Sequence, residues 1–439
     1  MRLLYTIAWC FALPLVATYL LWRSLRQPEY RRHWGERFLG AGALPGAGEP
    51  VLWLHAVSLG ETRAARPLLE EFARRHPRAR FVLTHMTPTG RAAGAELAAL
   101  APLSGRCVQR YLPYEIPAAI DRFLGEVRPR LGLLMETEIW PNLLAATDRR
   151  AIPVVLVNAR LSERSLAKAR RLAALMVPAA RRLSAVCAQT AADAARIASL
   201  YGGPLVVTGN LKFEHVPDAA QLARGRLARA ALEGVRVRLY ASTREGEEER
   251  LLAALEEAGP ARALPRTLHV LVPRHPQRFD EVARLLAARG IEPVRRSRLG
   301  EGSPGGEGAT LLRLAEGGGW LLGDTMGEMA FYYGLAHMAL IGGSLLPLGG
   351  QNLIEACACG CPVLLGPHMF NFAQASRDAC EAGAAIEVAD AREAMARMSE
   401  LSADPARLAK MAQDALGFAA AHRGATARTL AVLEPLLAG

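Results

Sequence analysis

A handful of carboxylates and two glycine pairs carry the chemistry this sequence can offer. Glu61 closes the run Ser58-Leu59-Gly60-Glu61, where Gly60 frees the turn. A carboxylate at such a helix start can act as a general base toward an incoming hydroxyl, or it can merely complement the helix dipole. Glu136 and Glu138 stand two apart in Glu136-Thr137-Glu138-Ile139-Trp140-Pro141-Asn142. Only one of the two is expected to face a ligand, while the other holds basic side chains. Further on, Ile341-Gly342-Gly343-Ser344 is followed by Gly349-Gly350-Gln351-Asn352-Leu353-Ile354-Glu355. Glycines at a strand-to-helix turn let a ligand approach bare backbone, and a helix N-terminus attracts phosphate. Asn352 and Glu355 share one face of the first turn, where a carboxylate can accept both hydroxyls of a ribose.

Cationic groups stand nearby in the pattern. Arg160 in Asn158-Ala159-Arg160-Leu161-Ser162 and Arg274 in Pro273-Arg274-His275-Pro276 suit a phosphate or carboxylate. Thr87-Pro88-Thr89-Gly90 reads as a polar turn or an ordinary helix cap. His275 reads as a hydrogen-bonded histidine rather than a metal ligand. Cys357, Cys359 and Cys361 lack the paired spacing of a zinc site and read as small buried residues. Neither a metal cage nor a G-x-S-x-G nucleophile turn is present in the pattern.

Each of these groups follows a short apolar run. Runs at Val51–Val57, 81–84, 131–135, 154–157, 184–188 and 205–207 alternate with amphipathic stretches such as Glu61–Arg75. The second half repeats this at 238–241, 268–272, 320–322, 338–341 and 363–365. The alternation predicts two doubly wound α/β domains, whose ligands bind beyond the carboxyl ends of the strands. The boundary is expected between Gly209 and Asp218, dividing residues 25–210 from 211–439. Gly300–Gly308 reads as a surface loop.

The chain has 439 residues and a formal charge of +11, unevenly spread. Residues 1–210 hold 28 Lys and Arg against 15 Asp and Glu, and the remainder holds 25 against 27. The basic half calls for an anionic surface or substrate. Aromatics make up only 6% and are not interleaved with basic runs, which speaks against nucleic acid. Leu3 to Trp22 carries no charge and can span a bilayer as an anchor over residues 1–24. Five arginines between positions 23 and 37, against Arg2 alone ahead, place its C-terminal side in the cytoplasm. A retained span is favoured over a cleaved signal peptide, and Pro14 leaves interfacial burial open.

Taken together, the motifs resemble the 3-deoxy-D-manno-octulosonic acid (Kdo) transferases. The resemblance rests on His55-Ala56-Val57-Ser58-Leu59-Gly60-Glu61, Met135 through Asn142, Asn158 through Ser162 and Gly209-Asn210-Leu211-Lys212. Pro273 through Pro276 and the glycine-rich segment through Gly366-Pro367 extend it. It implies a GT-B glycosyltransferase, two Rossmann-like domains facing across a cleft, working without metal or cofactor. CMP-Kdo would be the donor, and lipid IVA, a phosphorylated and acylated glucosamine disaccharide at the inner membrane, the acceptor. Glu61 becomes the general base of an inverting transfer, with Glu138, or alternatively Glu136, a second essential carboxylate. Arg274, His275, Gly343, Ser344, Asn352 and Glu355 would hold CMP. Ser58, Gly60, Thr89, Gly90, Glu136, Arg160, Lys212 and Arg244 would line the acceptor side or groove. The family commonly has histidine where this chain has Arg244, which removes a proton shuttle but keeps an anion contact. A GT-B epimerase and a non-catalytic binding protein remain as rivals; the first needs no anchor, and the second should lack Glu61.

Overall fold

The computed structural model describes residues 1–42, 50–214, 217–258, 266–299 and 306–438. Two compact units form, Met1–Glu214 with His422–Gly439, and His215–Ala421. In the first, β1 (Val51–His55), β2 (Arg80–His85), β3 (Cys107–Tyr111), β4 (Leu131–Met135), β5 (Val154–Ala159), β6 (Ala185–Ala188) and β7 (Leu205–Val207) make one sheet. All pairs are parallel, in the order β3-β2-β1-β4-β5-β6-β7. The central strands β1 and β4 are buried on both faces, so their apolar runs are continuous. The order reverses between β1 and β4, which pair Leu52 with Leu131 through His55 with Leu134. That reversal opens a crevice at the carboxyl ends of these two strands.

The second unit repeats the plan with β8 (Arg236–Thr243), β9 (Thr267–Pro273), β10 (Val294–Arg295), β11 (Trp320–Leu322), β12 (Met338–Ile341), β13 (Val363–Leu365) and β14 (Ala385–Glu387). Its order is β10-β11-β9-β8-β12-β13-β14, again parallel, with the switch between β8 and β12. Three strands lie outside the apolar runs of the sequence: β3, β10 and β14. They are the edge or near-edge strands, short and half-exposed, so no continuous apolar run marks them.

Two boundaries differ from expectation. The units divide after Glu214 rather than 210, and the last helix, Ala425–Ala438, belongs to the first unit rather than the second. Ala425, Leu430 and Leu433 are fully buried in the first core beside Leu68 and Leu69. Burying each leucine contributes roughly 2 kcal/mol, which decides where this helix packs. Glu214 caps the return by accepting the Gly424 and Thr426 amides at 3.0 and 2.9 Å. Of the loop expected at 300–308, residues 300–305 lie outside the described residues, and Gly306 already opens the helix Gly306–Glu316.

The uncharged N-terminal stretch is one helix, Arg2–Ser24, long and apolar enough to cross a membrane. Its Leu20 packs with Tyr30 and Tyr114 of the same unit, against Trp9, Val16, Trp34 and Phe38.

Candidate active site

Glu61 sits in the first turn of helix Leu59–Arg75, which Ser58 caps. Its carboxylate accepts the Val57 amide at 2.6 Å and the Ser58 hydroxyl at 3.3 Å, a variant of the reciprocal capping box. Capping alone does not account for its titration. Burial, then the nearby charges of Glu136 and Glu138, push Glu61 up to about 7 against the pull of the Val57 amide. Glu138 is likewise raised, first by burial and then by Glu136, while the Trp140 indole donates to it at 2.7 Å. Its other neighbour is His55 Nε2, 4.0 Å away. Burial holds that ring neutral, near 3, so the contact is not an ion pair. Glu136 behaves differently. Its backbone is left-handed, φ +57, and its buried carboxylate accepts Arg160 Nε and Lys212 Nζ, both at 2.7 Å. One carboxylate thus binds the basic side chains, from a turn whose left-handed backbone at Glu136 departs from an extended strand, while Glu61 and Glu138 have raised pKa.

Gly60 is exposed, and a Cβ there would meet only Ser58 Oγ, at 4.0 Å. Gly90 is buried, where a Cβ would lie 3.0 Å from Val57 O; its amide donates to Thr87, the cap of helix Pro88–Ala99. Thr89 is exposed, 3.3 Å from the Thr87 hydroxyl.

In the second unit the exits of β8 and β12 are bound together by a residue given no role in the sequence reading. Glu247, 1% exposed, accepts three amides: Gly343 at 2.6 Å, Arg244 at 2.9 Å and Leu345 at 3.0 Å. Gly342 must be glycine because a Cβ would lie 2.3 Å from Ser242 O, and Gly343 has φ +68. Arg274 donates Nε to Gln351 Oε1 at 3.2 Å, and its amide to Thr243 O, joining the β9 exit to the glycine loop. His275 follows with its pKa lowered by burial and by the Arg244 and Arg274 guanidiniums, a sign of positive potential at this turn. Asn352 caps helix Leu353–Ala358 through the Ile354 amide. Glu355 is half-buried on its first turn, close enough to raise Tyr333 further after burial.

A curated 3-deoxy-D-manno-octulosonic acid transferase from Bordetella pertussis is 46% identical over 440 residues, spanning 99% of each chain. The chain belongs to the Kdo transferase family. A second member, from Haemophilus influenzae, is 33% identical and again spans 99% of both. The family model described as 3-deoxy-D-manno-octulosonic-acid transferase matches residues 32–215. In fold, this Kdo transferase resembles the UDP-GlcNAc 2-epimerase of Neisseria meningitidis solved with UDP-GlcNAc. The TM-score is 0.51 at 16% identity, covering 88% of this chain and all of that one. The expected GT-B class is thereby established as two parallel α/β units. Sharing that fold with an epimerase leaves the chemistry to the residues.

In this Kdo transferase the switch point of the first sheet brings Glu61, Glu136 and Glu138 together, with Arg160 and Lys212 on Glu136. That of the second gathers Arg244, Arg274, His275, Gly343 and Gln351. Ser344 departs from its expected place. Its hydroxyl is fully buried, donates to Ile341 O and accepts the Gly366 amide at 2.9 Å, so the side chain ties β12 to β13 rather than facing a ligand. Glu247 was the residue missed. Its only sequence signal is an acidic first turn, Glu247-Glu248-Glu249, which reads equally as helix-dipole complement.

Proposed function

We propose that this protein transfers Kdo from CMP-Kdo to lipid IVA with inversion, Glu61 serving as general base. The observation that carries the reading is a carboxylate poised near 7 at the carboxyl end of β1. In the step, the acceptor hydroxyl oxygen bonds to the anomeric carbon of Kdo. The bond from that carbon to the CMP phosphate oxygen breaks, CMP leaves with the electron pair, and Glu61 takes the hydroxyl proton. Arg274 and Arg244 stabilise the leaving phosphate, with Asn352 and Glu355 at the ribose. Glu138, held by Trp140, orients the acceptor, while Glu136 keeps Arg160 and Lys212 ready for its phosphates. The 46% identical relative supports the reaction class, and the excess positive charge of residues 1–210 supports a phosphorylated acceptor. The apolar helix and its flanking arginines support attachment to the cytoplasmic face of the bacterial inner membrane. The test is transfer from enzymatically generated CMP-Kdo to tetraacylated lipid A precursor in detergent, with products resolved by mass. An added Kdo mass supports the reading, and intact donor with folded protein refutes it.

Two expectations attach to the site. A raised carboxylate must lose its proton before acting, so activity is low below the raised value and climbs as pH rises through it. The acid limb of kcat/KM should therefore have its midpoint near 7, where an unperturbed glutamate would place it near 4. Gly60→Ala should fold at least as stably, since the added Cβ finds open space and alanine favours a helix by up to about 1 kcal/mol. Its KM for the lipid acceptor should nevertheless rise, because the methyl occupies the approach to Glu61. An unchanged KM would remove Gly60 from the acceptor path.

A further inference from the structure

The N-terminal helix contacts its own unit along its whole length. Tyr5, Trp9, Leu13, Val16, Leu20 and Ser24, spaced three or four apart, form one buried or half-buried stripe. Near the start, Asn142 Nδ2 donates to Thr6 Oγ1 at 2.9 Å, and Trp9 stacks on Tyr114 with centroids 5.8 Å apart. At the far end, Arg31 Nε donates to Ser24 Oγ at 2.8 Å. The opposite face is bare: Leu3 and Leu15 are each 73% exposed and Phe11 is 79% exposed.

A helix of 23 residues is about 35 Å long, slightly more than the hydrocarbon core of a bilayer. If it crossed the membrane, Thr6 would lie near the leaflet opposite the arginines, and Asn142 and Tyr114 would have to follow. Beside them is Glu115, whose buried carboxylate accepts the first amides of helix Pro141–Arg149, Asn142 at 2.7 Å and Leu143 at 2.9 Å. Carrying that carboxylate and the helix end it caps into lipid costs several kcal/mol. Exposed arginines also flank both ends, Arg2 at one and Arg23, Arg26, Arg31 and Arg32 at the other. Arg2 and the arginine cluster at the other end reach the anionic headgroups of the same leaflet only when the helix lies flat.

We infer that helix Arg2–Ser24 lies in the plane of the cytoplasmic leaflet, one face on the protein and the other in lipid, rather than crossing the bilayer. Asn142 stands two residues beyond Trp140, the partner of Glu138, so the same contact sets the carboxylate loop at the lipid surface. The inference rests on the membrane attachment proposed above and not on the transfer chemistry.

The test uses the full chain in inner membranes, with Arg2→Cys introduced beside Cys10→Ser. A membrane-impermeant maleimide should label Arg2→Cys in inverted vesicles and leave it protected in spheroplasts. Labelling in spheroplasts would overturn the inference while leaving attachment intact. In a second variant, Thr6→Cys with Asn142→Cys, oxidation by copper phenanthroline in native membranes should join the pair. An uncrosslinked pair would overturn the docked helix, and recovery of the protein in the soluble fraction would overturn attachment as well.

Discussion

Glu61→Gln is expected to lower Kdo transfer by roughly 10²–10⁴-fold, the usual contribution of a positioned general base, while CMP binding stays unchanged. Glutamine is the informative replacement because an amide oxygen can still accept the Val57 amide, now at 2.6 Å, and so keeps the cap. Glu61→Ala would also leave that amide without its partner, at a cost of about 1 kcal/mol, and mix stability with chemistry. Transfer to the lipid acceptor measured by mass, beside CMP titration by calorimetry, separates the two. Because Glu61 belongs to the first unit and Arg274, Asn352 and Glu355 to the second, only the chemical step should suffer. Loss of CMP affinity together with activity would mean that Glu61 had been placed in the wrong half of the reaction.

Glu247→Ala should destabilise the second unit by about 3 kcal/mol or more, since three buried amides lose their acceptor at once. The amides of Gly343 and Leu345 follow β12 and that of Arg244 follows β8, so the loss also frees the two strand exits where CMP-Kdo is proposed to bind. Donor affinity should fall together with the denaturation midpoint. Glu247→Gln, with one acceptor oxygen in place of two, should lie between. A variant of normal stability that has lost the donor would instead make Glu247 a direct ligand contact, contrary to its burial.

The sheets were legible where both faces are buried. β1, β4, β8 and β12 announce themselves as apolar runs, and the polar residues that follow each one mark the candidate site. Edge strands β3, β10 and β14 give no such run. Ser344 was misplaced because its motif says that a hydroxyl stands after β12, not which way it turns. It turns inward, to Ile341 and Gly366. The division of work between Glu136 and Glu138 was half legible. Strand alternation would put residues two apart on the same side; the left-handed backbone at Glu136 breaks that pattern, and the packing of Arg160 and Lys212 says which one is paired.

What the amino-acid sequence determined by itself was local: strand runs, helix caps, the glycine turns, the length of the N-terminal helix and the chemical types after each strand. These depend on neighbours within a few residues, so the order of residues suffices. Tertiary structure decided everything that joins distant segments. Pairing of β1 with β4 brings Glu61 under the charges of Glu136 and Glu138 and raises its pKa. Leu430 and Leu433 return the chain's end to the first core, though sequence order assigns it to the second. The stripe from Tyr5 to Ser24 lays an apolar helix of spanning length along its own domain. Hydrophobicity says only that such a helix leaves water; the polar contacts at both of its ends hold it to its own unit.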